Sequence, residues 1–188
     1  MPHPARILLI AALPLLLPGG CDKAPSPVAN EAGDIATASS PAPAALAKAD
    51  GSNAGAVTLS EDPNGVIIKI MATGLPAGTH GVHLHAAGQC DGPKFESAGP
   101  HWNPAGKKHG RDNPDGAHMG DLANLEIGAD GSGSSTFAIG GTRLNDGANA
   151  LADADGVSLV VHAKRDDYKT DPSGDSGERI ACAVLKAS

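Results

Sequence analysis

Two histidines stand two residues apart in Gly81-Val82-His83-Leu84-His85, alternating with the apolar Val82 and Leu84. Successive side chains of a strand point to opposite faces, so both imidazoles leave from one side. Two neutral ring nitrogens aimed at one point are half of a metal site. Alone, the pattern describes equally well a strand with two solvent-facing histidines, and the rest of the chain decides between them. Of its eight histidines, His3 lies near the N-terminus. His80 is an odd number of residues from His83, so it faces the other way and reads as structural or surface. What remains is His83, His85, His101, His109, His118 and His162, with Asp121 three residues after His118. Seven donors fill two four-coordinate sites only if one serves both, which a histidine does when both ring nitrogens are deprotonated.

The two sites would differ in character. His83, His85 and His162 fall on strands and are rigidly held; an all-nitrogen tetragonal site suits Cu(II). His109, His118 and Asp121 lie together on one loop, and a closed tetrahedral nitrogen and oxygen site suits structural zinc. His101 lies between the two groups in sequence and is the natural shared ligand. The competing reading is a single zinc site among scattered surface histidines, which leaves most of the six without a reason.

The elements that must position these residues are short strands. Ala56–Leu59 and Val66–Met71 flank Asp62-Pro63-Asn64-Gly65, where Asn-Gly suits a tight hairpin. Leu75-Pro76-Ala77-Gly78 turns the chain into the His83/His85 strand. Leu122–Ile127, Gly133–Ile139, Gly156–His162 and Arg179–Leu185 are each apolar and bounded by turn residues. Strands at this spacing predict an antiparallel sandwich or barrel. Between them lie two long polar stretches, Ala86–Asp121 and Ala163–Gly177. Loops of that length in a compact domain usually carry function.

Composition agrees. There are 25 Gly and 15 Pro, and aromatics make up only 2%, so the core must be aliphatic. Lys and Arg number 14 against 21 Asp and Glu, a formal charge of −7 with no basic run, which excludes nucleic acid as a partner. The N-terminus reads as a targeting segment: Arg6, an apolar run from Ile7 to Leu17, then Leu17-Pro18-Gly19-Gly20-Cys21. That ending resembles a bacterial lipoprotein signal, in which small residues precede a cysteine that becomes lipidated; an ordinary secretory signal cut nearby is the other reading. Residues 22–53 are rich in Ala, Pro and Ser and read as a disordered tether, with a folded domain over 54–188. The chain is thus expected to be exported to the periplasm and to touch a membrane only through an anchor at Cys21. An exported chain meets oxidising conditions, and the two remaining cysteines, Cys90 and Cys182, favour a disulfide.

Five segments together resemble the copper/zinc superoxide dismutase family in its bacterial, exported form. They are Gly81-Val-His-Leu-His85, Ser97-Ala-Gly-Pro-His101, His118-Met-Gly-Asp121-Leu, Val160-Val-His162-Ala-Lys-Arg-Asp166-Asp-Tyr168 and Gly177-Glu-Arg179-Ile-Ala-Cys182, in the family's order. The resemblance implies an all-β fold, an eight-stranded antiparallel Greek-key barrel of sandwich architecture with two long functional loops. It implies copper at His83, His85, His101 and His162, and zinc at His101, His109, His118 and Asp121. It also implies a Cys90–Cys182 bridge pinning the metal loop to the last strand, Asp166 joining a copper histidine to a zinc histidine, and Arg179 beside the copper. The implied reaction is dismutation of superoxide by alternating reduction and oxidation of the copper, with His101 as the bridging imidazolate. A non-catalytic copper-binding or copper-delivering protein on the same fold is the alternative, as is a structural surface lipoprotein holding zinc. Either a monomer or a homodimer fits.

Overall fold

The computed structural model describes residues 42–147, 149–152 and 155–186. The expected targeting segment, the tether as far as residue 41, and Cys21 lie outside the described residues.

Nine strand segments are present among the described residues: β1 (Ala44–Lys48), β2 (Asn53–Asp62), β3 (Gly65–Ala72), β4 (Gly78–His80), β5 (Val82–His85), β6 (Leu125–Ile127), β7 (Gly133–Gly140), β8 (Val157–His162) and β9 (Arg179–Leu185). Only Gly81 separates β4 from β5, so the nine segments make eight runs. Seven of them form one antiparallel sheet in the order β5-β8-β9-β1-β2-β3-β7, while β4 pairs with β6. Neighbours in space are thus partly remote in sequence, with β9 beside β1 and β7 beside β3, and the fold is the all-β barrel type expected.

Alternation explains the central strands. In β3, Val66, Ile68 and Ile70 are wholly buried while Lys69 and Met71 face solvent. In β2, Val57 and Leu59 are buried and Ser60 is exposed. The hairpin between them forms because Asp62 Oδ1 accepts the N–H groups of Asn64 (2.7 Å) and Gly65 (3.0 Å). Each aliphatic side chain buried in the barrel contributes about 1.5–3 kcal/mol, and the core is aliphatic apart from Phe137 and Trp102 at its margin.

One expectation needs correction. Residues 44–48 were assigned to the tether, yet they form β1 in the middle of the large sheet. Ala44 pairs with Val57 and Ala45 with Ala56, and on the other side Ala47 pairs with Cys182 and Lys48 with Ala181. The strand buries only one large apolar side chain, Leu46, so composition gave no sign of it. Backbone pairing on both edges holds it, and the ordered domain begins about ten residues earlier than position 54.

Two strands are buried on both faces. All four residues of β5 and all six of β8 are inaccessible. Val82 and Leu84 enter the barrel core, whereas His83 and His85 point outward into a layer made by the loops. The long loop also completes the free edge of β5. Leu84 N–H donates to Gly120 O (2.9 Å), Trp102 N–H to Leu84 O (2.7 Å), and Leu122 N–H to Val82 O (3.2 Å). This is why Leu122 belongs to the loop and β6 starts only at Leu125.

Candidate metal centre

Each of three strand histidines is oriented by one hydrogen bond. His83 Nε2 donates to Asp166 Oδ2 (2.9 Å), His85 Nδ1 to the carbonyl of Gly99 (2.8 Å), and His162 Nδ1 to the carbonyl of Gly177 (3.1 Å). A nitrogen that donates leaves its ring partner with a lone pair. The partners are His83 Nδ1, His85 Nε2 and His162 Nε2, and together with His101 Nε2 they are buried with no hydrogen-bonding partner. These four residues offer ligand atoms that lie within 4.8 Å of one another. Four buried, unsatisfied nitrogens facing one point are costly unless something fills it. They fit a nitrogen-only metal site.

His101 reaches a second group through its other nitrogen. Nδ1 of His101, His109 and His118 each lie 3.0 Å from Asp121 Oδ1, and those of His101 and His118 are 3.3 Å apart. A tetrahedron of zinc bonds near 2.0–2.1 Å has edges of about 3.3 Å, so these separations suit that ion. Asp121 is itself fixed, because its Oδ2 accepts the N–H groups of Gly110 (2.9 Å) and His118 (3.0 Å). His83 also comes within 4.8 Å of His101, His109 and Asp121. With its Nε2 spent on Asp166 it belongs to the first group, and His118 completes the second.

Asp166 links the two groups, with one oxygen on His83 and the other 3.0 Å from His109 Nε2. It is wholly buried. Gly174, with φ +66, lies against it; a Cβ there would run into Asp166 Oδ1 and stand 2.7 Å from His109 Nε2.

The electrostatics follow from burial and from these carboxylates. Burial holds the pKa of His83 below its ordinary value, and it pushes His85 down to about 2, His162 to about 3 and His101 to about 4. Those rings are neutral at pH 7 and free to bind metal. His109 is opposite: burial would lower it, but the carboxylates of Asp121 and Asp166, each 3.0 Å from one of its ring nitrogens, raise it to about 9. Burial would raise the carboxyl groups of Asp121 and Asp166, yet the imidazoles around them hold both well below the usual range.

Arg179 opens β9 and is half-buried. Its two terminal nitrogens donate to the carbonyls of Phe95 (2.6 Å) and Gly99 (2.7 Å), the latter shared with His85. Its charge lowers the pKa of both His85 and His162, which places it beside the first group. Cys90 and Cys182 are bonded, joining residues 92 apart. They sit in a small apolar cluster with Phe95, Ala98 and Val160, beneath the segment that supplies the two carbonyls.

All the site residues expected within the domain therefore converge. His80 is buried, with Nδ1 2.7 Å from His162 O and Nε2 2.9 Å from Pro76 O, so it is structural. Sequence reasoning missed Asn124, whose amide clasps the backbone of Asp166, and the carbonyls of Gly99 and Gly177, which carry no side-chain signal at all.

Residues 53–185 match the family described as copper/zinc superoxide dismutase (SODC). A protein named superoxide dismutase (Cu-Zn) from Caulobacter vibrioides is 45% identical over 148 residues, covering 77% of this chain and 85% of its own length. A SOD-like protein from Bacillus subtilis, known as a crystal structure, superposes with a TM-score of 0.74 at 40% identity, over 78% of this chain and 99% of that one. The Cu/Zn superoxide dismutase of Brucella abortus superposes with a TM-score of 0.61 at 31% identity, over 77% and 99%.

Proposed function

The chain belongs to the copper/zinc superoxide dismutase family, and from that membership we propose which of its residues perform the reaction. The protein is an enzyme that converts superoxide to O2 and H2O2 using copper and zinc. Copper supplies the one-electron oxidation and reduction, and zinc, which has no redox chemistry, holds its ligands in order. We assign copper to His83, His85, His101 and His162, and zinc to His101, His109, His118 and Asp121. The observation that carries this reading is the set of four buried histidine nitrogens with no hydrogen-bonding partner.

The chain's own groups divide the remaining work. Arg179 attracts the anion and hydrogen-bonds it, since each terminal nitrogen keeps a second N–H beyond the one given to Phe95 or Gly99. Nε2 of His101, whenever it is not bound to copper, would be the nitrogen that takes up a proton and hands it to the reduced product. Asp166 fixes the tautomers of His83 and His109 through one carboxylate. A copper carrier would need neither Arg179 nor His109, His118 and Asp121, which is what separates the enzymatic reading from the alternative.

The test is metal analysis of the purified protein alongside a superoxide-decay assay. One copper and one zinc per chain with metal-dependent decay is expected, and loss of copper and activity in His85→Ala. A His85→Ala variant that keeps its copper and its rate overturns the assignment.

The chain is further proposed to be exported and anchored to a membrane by lipid on Cys21, with the Ala/Pro/Ser-rich stretch as tether. No helix among the described residues is long and apolar enough to cross a membrane, and acyl chains contribute about 0.8 kcal/mol per buried CH₂. Cys21→Ala should release active enzyme from the membrane fraction; wild-type protein found soluble with an N-terminus beyond Cys21 excludes the anchor.

A further inference from the structure

Tyr168 lies in the second loop, two residues after Asp166, and every polar group it has is committed. Its N–H donates to Asp166 Oδ1 (2.7 Å). Its carbonyl accepts the N–H of Asp112 (2.9 Å), in the segment that carries His109. Its hydroxyl oxygen accepts the N–H of Asn124 (2.8 Å). Asn124 in turn clasps Asp166 with both ends of its amide, giving Nδ2–H to the carbonyl (3.0 Å) and taking the N–H on Oδ1 (2.8 Å). The ring is capped by Arg111, whose guanidinium carbon is 3.7 Å from the ring centre.

Two backbone features show that the chain is shaped around this residue. Tyr168 has φ +62, a left-handed conformation that costs a non-glycine residue energy and needs surrounding contacts to hold it. Gly110, with φ +94, passes so close that a Cβ would meet the Tyr168 carbonyl. Flanking bonds run the same way, from His109 N–H to Asp171 Oδ1 (2.9 Å) and from Asn113 Nδ2 to Lys169 O (3.3 Å).

We propose that Tyr168, capped by Arg111, is a positioning residue: it fastens the segment bearing Asp166 to the segment bearing His109 in the arrangement that receives zinc. Its hydrogen bonds go to Asp166, Asp112 and Asn124, none of which is an assigned zinc ligand. It acts through Asp166, which orients His109 Nε2, and through Asp112, which fixes the turn that presents His109. Tyr168 is partly buried and lies outside the apolar core of the barrel, so its role is distinct from barrel stability. The proposal rests on the assignment of zinc to His101, His109, His118 and Asp121.

The experiment withdraws zinc from the loaded, copper-containing protein with a chromophoric chelator and reads the chelator concentration at half removal. Outer partners of metal ligands are worth 10–100-fold in metal affinity, and Tyr168→Leu should lower that concentration about tenfold. Tyr168→Phe, which keeps the ring and loses only the hydroxyl, should lower it about three- to fivefold. Arg111→Ala should lower it about two- to fivefold, and the pair Arg111→Ala with Tyr168→Leu should be no weaker than Tyr168→Leu alone, because Arg111 acts through the ring. Ile68→Val in β3 is the control for destabilisation elsewhere and should leave zinc retention unchanged. If Tyr168→Leu releases zinc within twofold of wild type, whatever its melting temperature, Tyr168 is only structural and the proposal fails; full additivity of the pair removes Arg111 from it. Wild-type protein that yields no zinc at all overturns the zinc assignment itself and this proposal with it.

Discussion

The carbonyl oxygen of Gly99 accepts from both His85 and Arg179, so one backbone atom sets the orientation of a candidate ligand ring and of Arg179. Arg179 therefore does two separable things, supplying charge and supplying a fixed fork of donors. Arg179→Ile should lower the second-order rate at low salt by roughly tenfold or more, within the range that steering fields produce, with both metals still bound. It should also flatten the fall of rate with added salt. Arg179→Lys should keep most of the salt dependence and lose part of the rate. Stopped-flow decay of superoxide over a series of ionic strengths reads both. At the same scale, His85→Ala removes one of four nitrogens and should lower copper retention and rate by more than about a hundredfold, while circular dichroism shows the same β content.

At the scale of elements, β5 is the strand on which the site is built; its outer edge is completed by the first loop, and its outer face is covered by that loop and by the Asp166 segment. The first loop has almost no regular structure of its own; within residues 86–124 only the single 3₁₀ turn Glu96–Ala98 is found among the described elements. Its order comes from backbone bonds to β5, from Asp121 and Asp166, from the disulfide and, when bound, from metal. Asp121→Ala should thus lower thermal stability of the loaded protein more than removal of copper does, since ions that bind only the folded state add their binding energy to it. Calorimetry of the two preparations tests the order. A bridge closing a loop of 92 residues stabilises by about 4–5 kcal/mol in the chain-entropy picture. Cys90→Ser should lower the melting temperature accordingly. It should also lower the rate with copper still bound, because the bridge steadies the segment whose Phe95 and Gly99 carbonyls hold Arg179.

Over the whole molecule, acidic residues outnumber basic ones, and the formal charge of −7 repels an anionic substrate. Fast encounter depends on charges within about 8 Å of the site at physiological salt. Arg179 lines a cleft with Lys48, Asp50, Lys94, Glu96 and Glu178, and Lys164, Arg165, Asp167 and Asp175 border the neighbouring one, so positive and negative groups are balanced in each. The buried titrating groups also fix how stability of the chelated protein depends on pH. His85, His162 and His101 have folded values of about 2, 3 and 4 against an ordinary 6.5. Below pH 6.5 the unfolded chain takes up protons that these rings refuse, so stability falls as pH drops from 6.5 toward 2. Asp121 and Asp166, held low, lose their contribution over the acid range as well. His109 runs the other way: its contribution is present below 6.5 and is lost as pH rises through about 9. The chelated protein should melt highest near neutral pH, with a steep loss on the acid side and a shallow one on the alkaline side. Melting curves across that range test this, and a flat profile below pH 6 contradicts it.

How much of this was legible in advance depends on where each signal resides. His83 and His85 declare themselves because strand geometry puts alternate side chains on one face, a property of the local chain. The count of seven donors for eight bonds, the alternating strands β2, β3 and β7, and the family segments are likewise written in residue order. Strand β1 is not, because five residues with one large apolar side chain are held by backbone bonds to partners about ten and 135 residues away. The carbonyls of Gly99 and Gly177, the amide of Asn124 and the cap of Arg111 on Tyr168 were equally silent, since a backbone carbonyl looks the same in every residue and a loop contact has no period. Sequence by itself pointed to the candidate ligands and the fold class, because side-chain identity and strand period are local, and its family segments pointed to the reaction. Tertiary structure alone decided which ring nitrogen of His83, His85 and His162 is left without a partner, because that choice is made by a hydrogen bond to a group brought in from another segment of the chain.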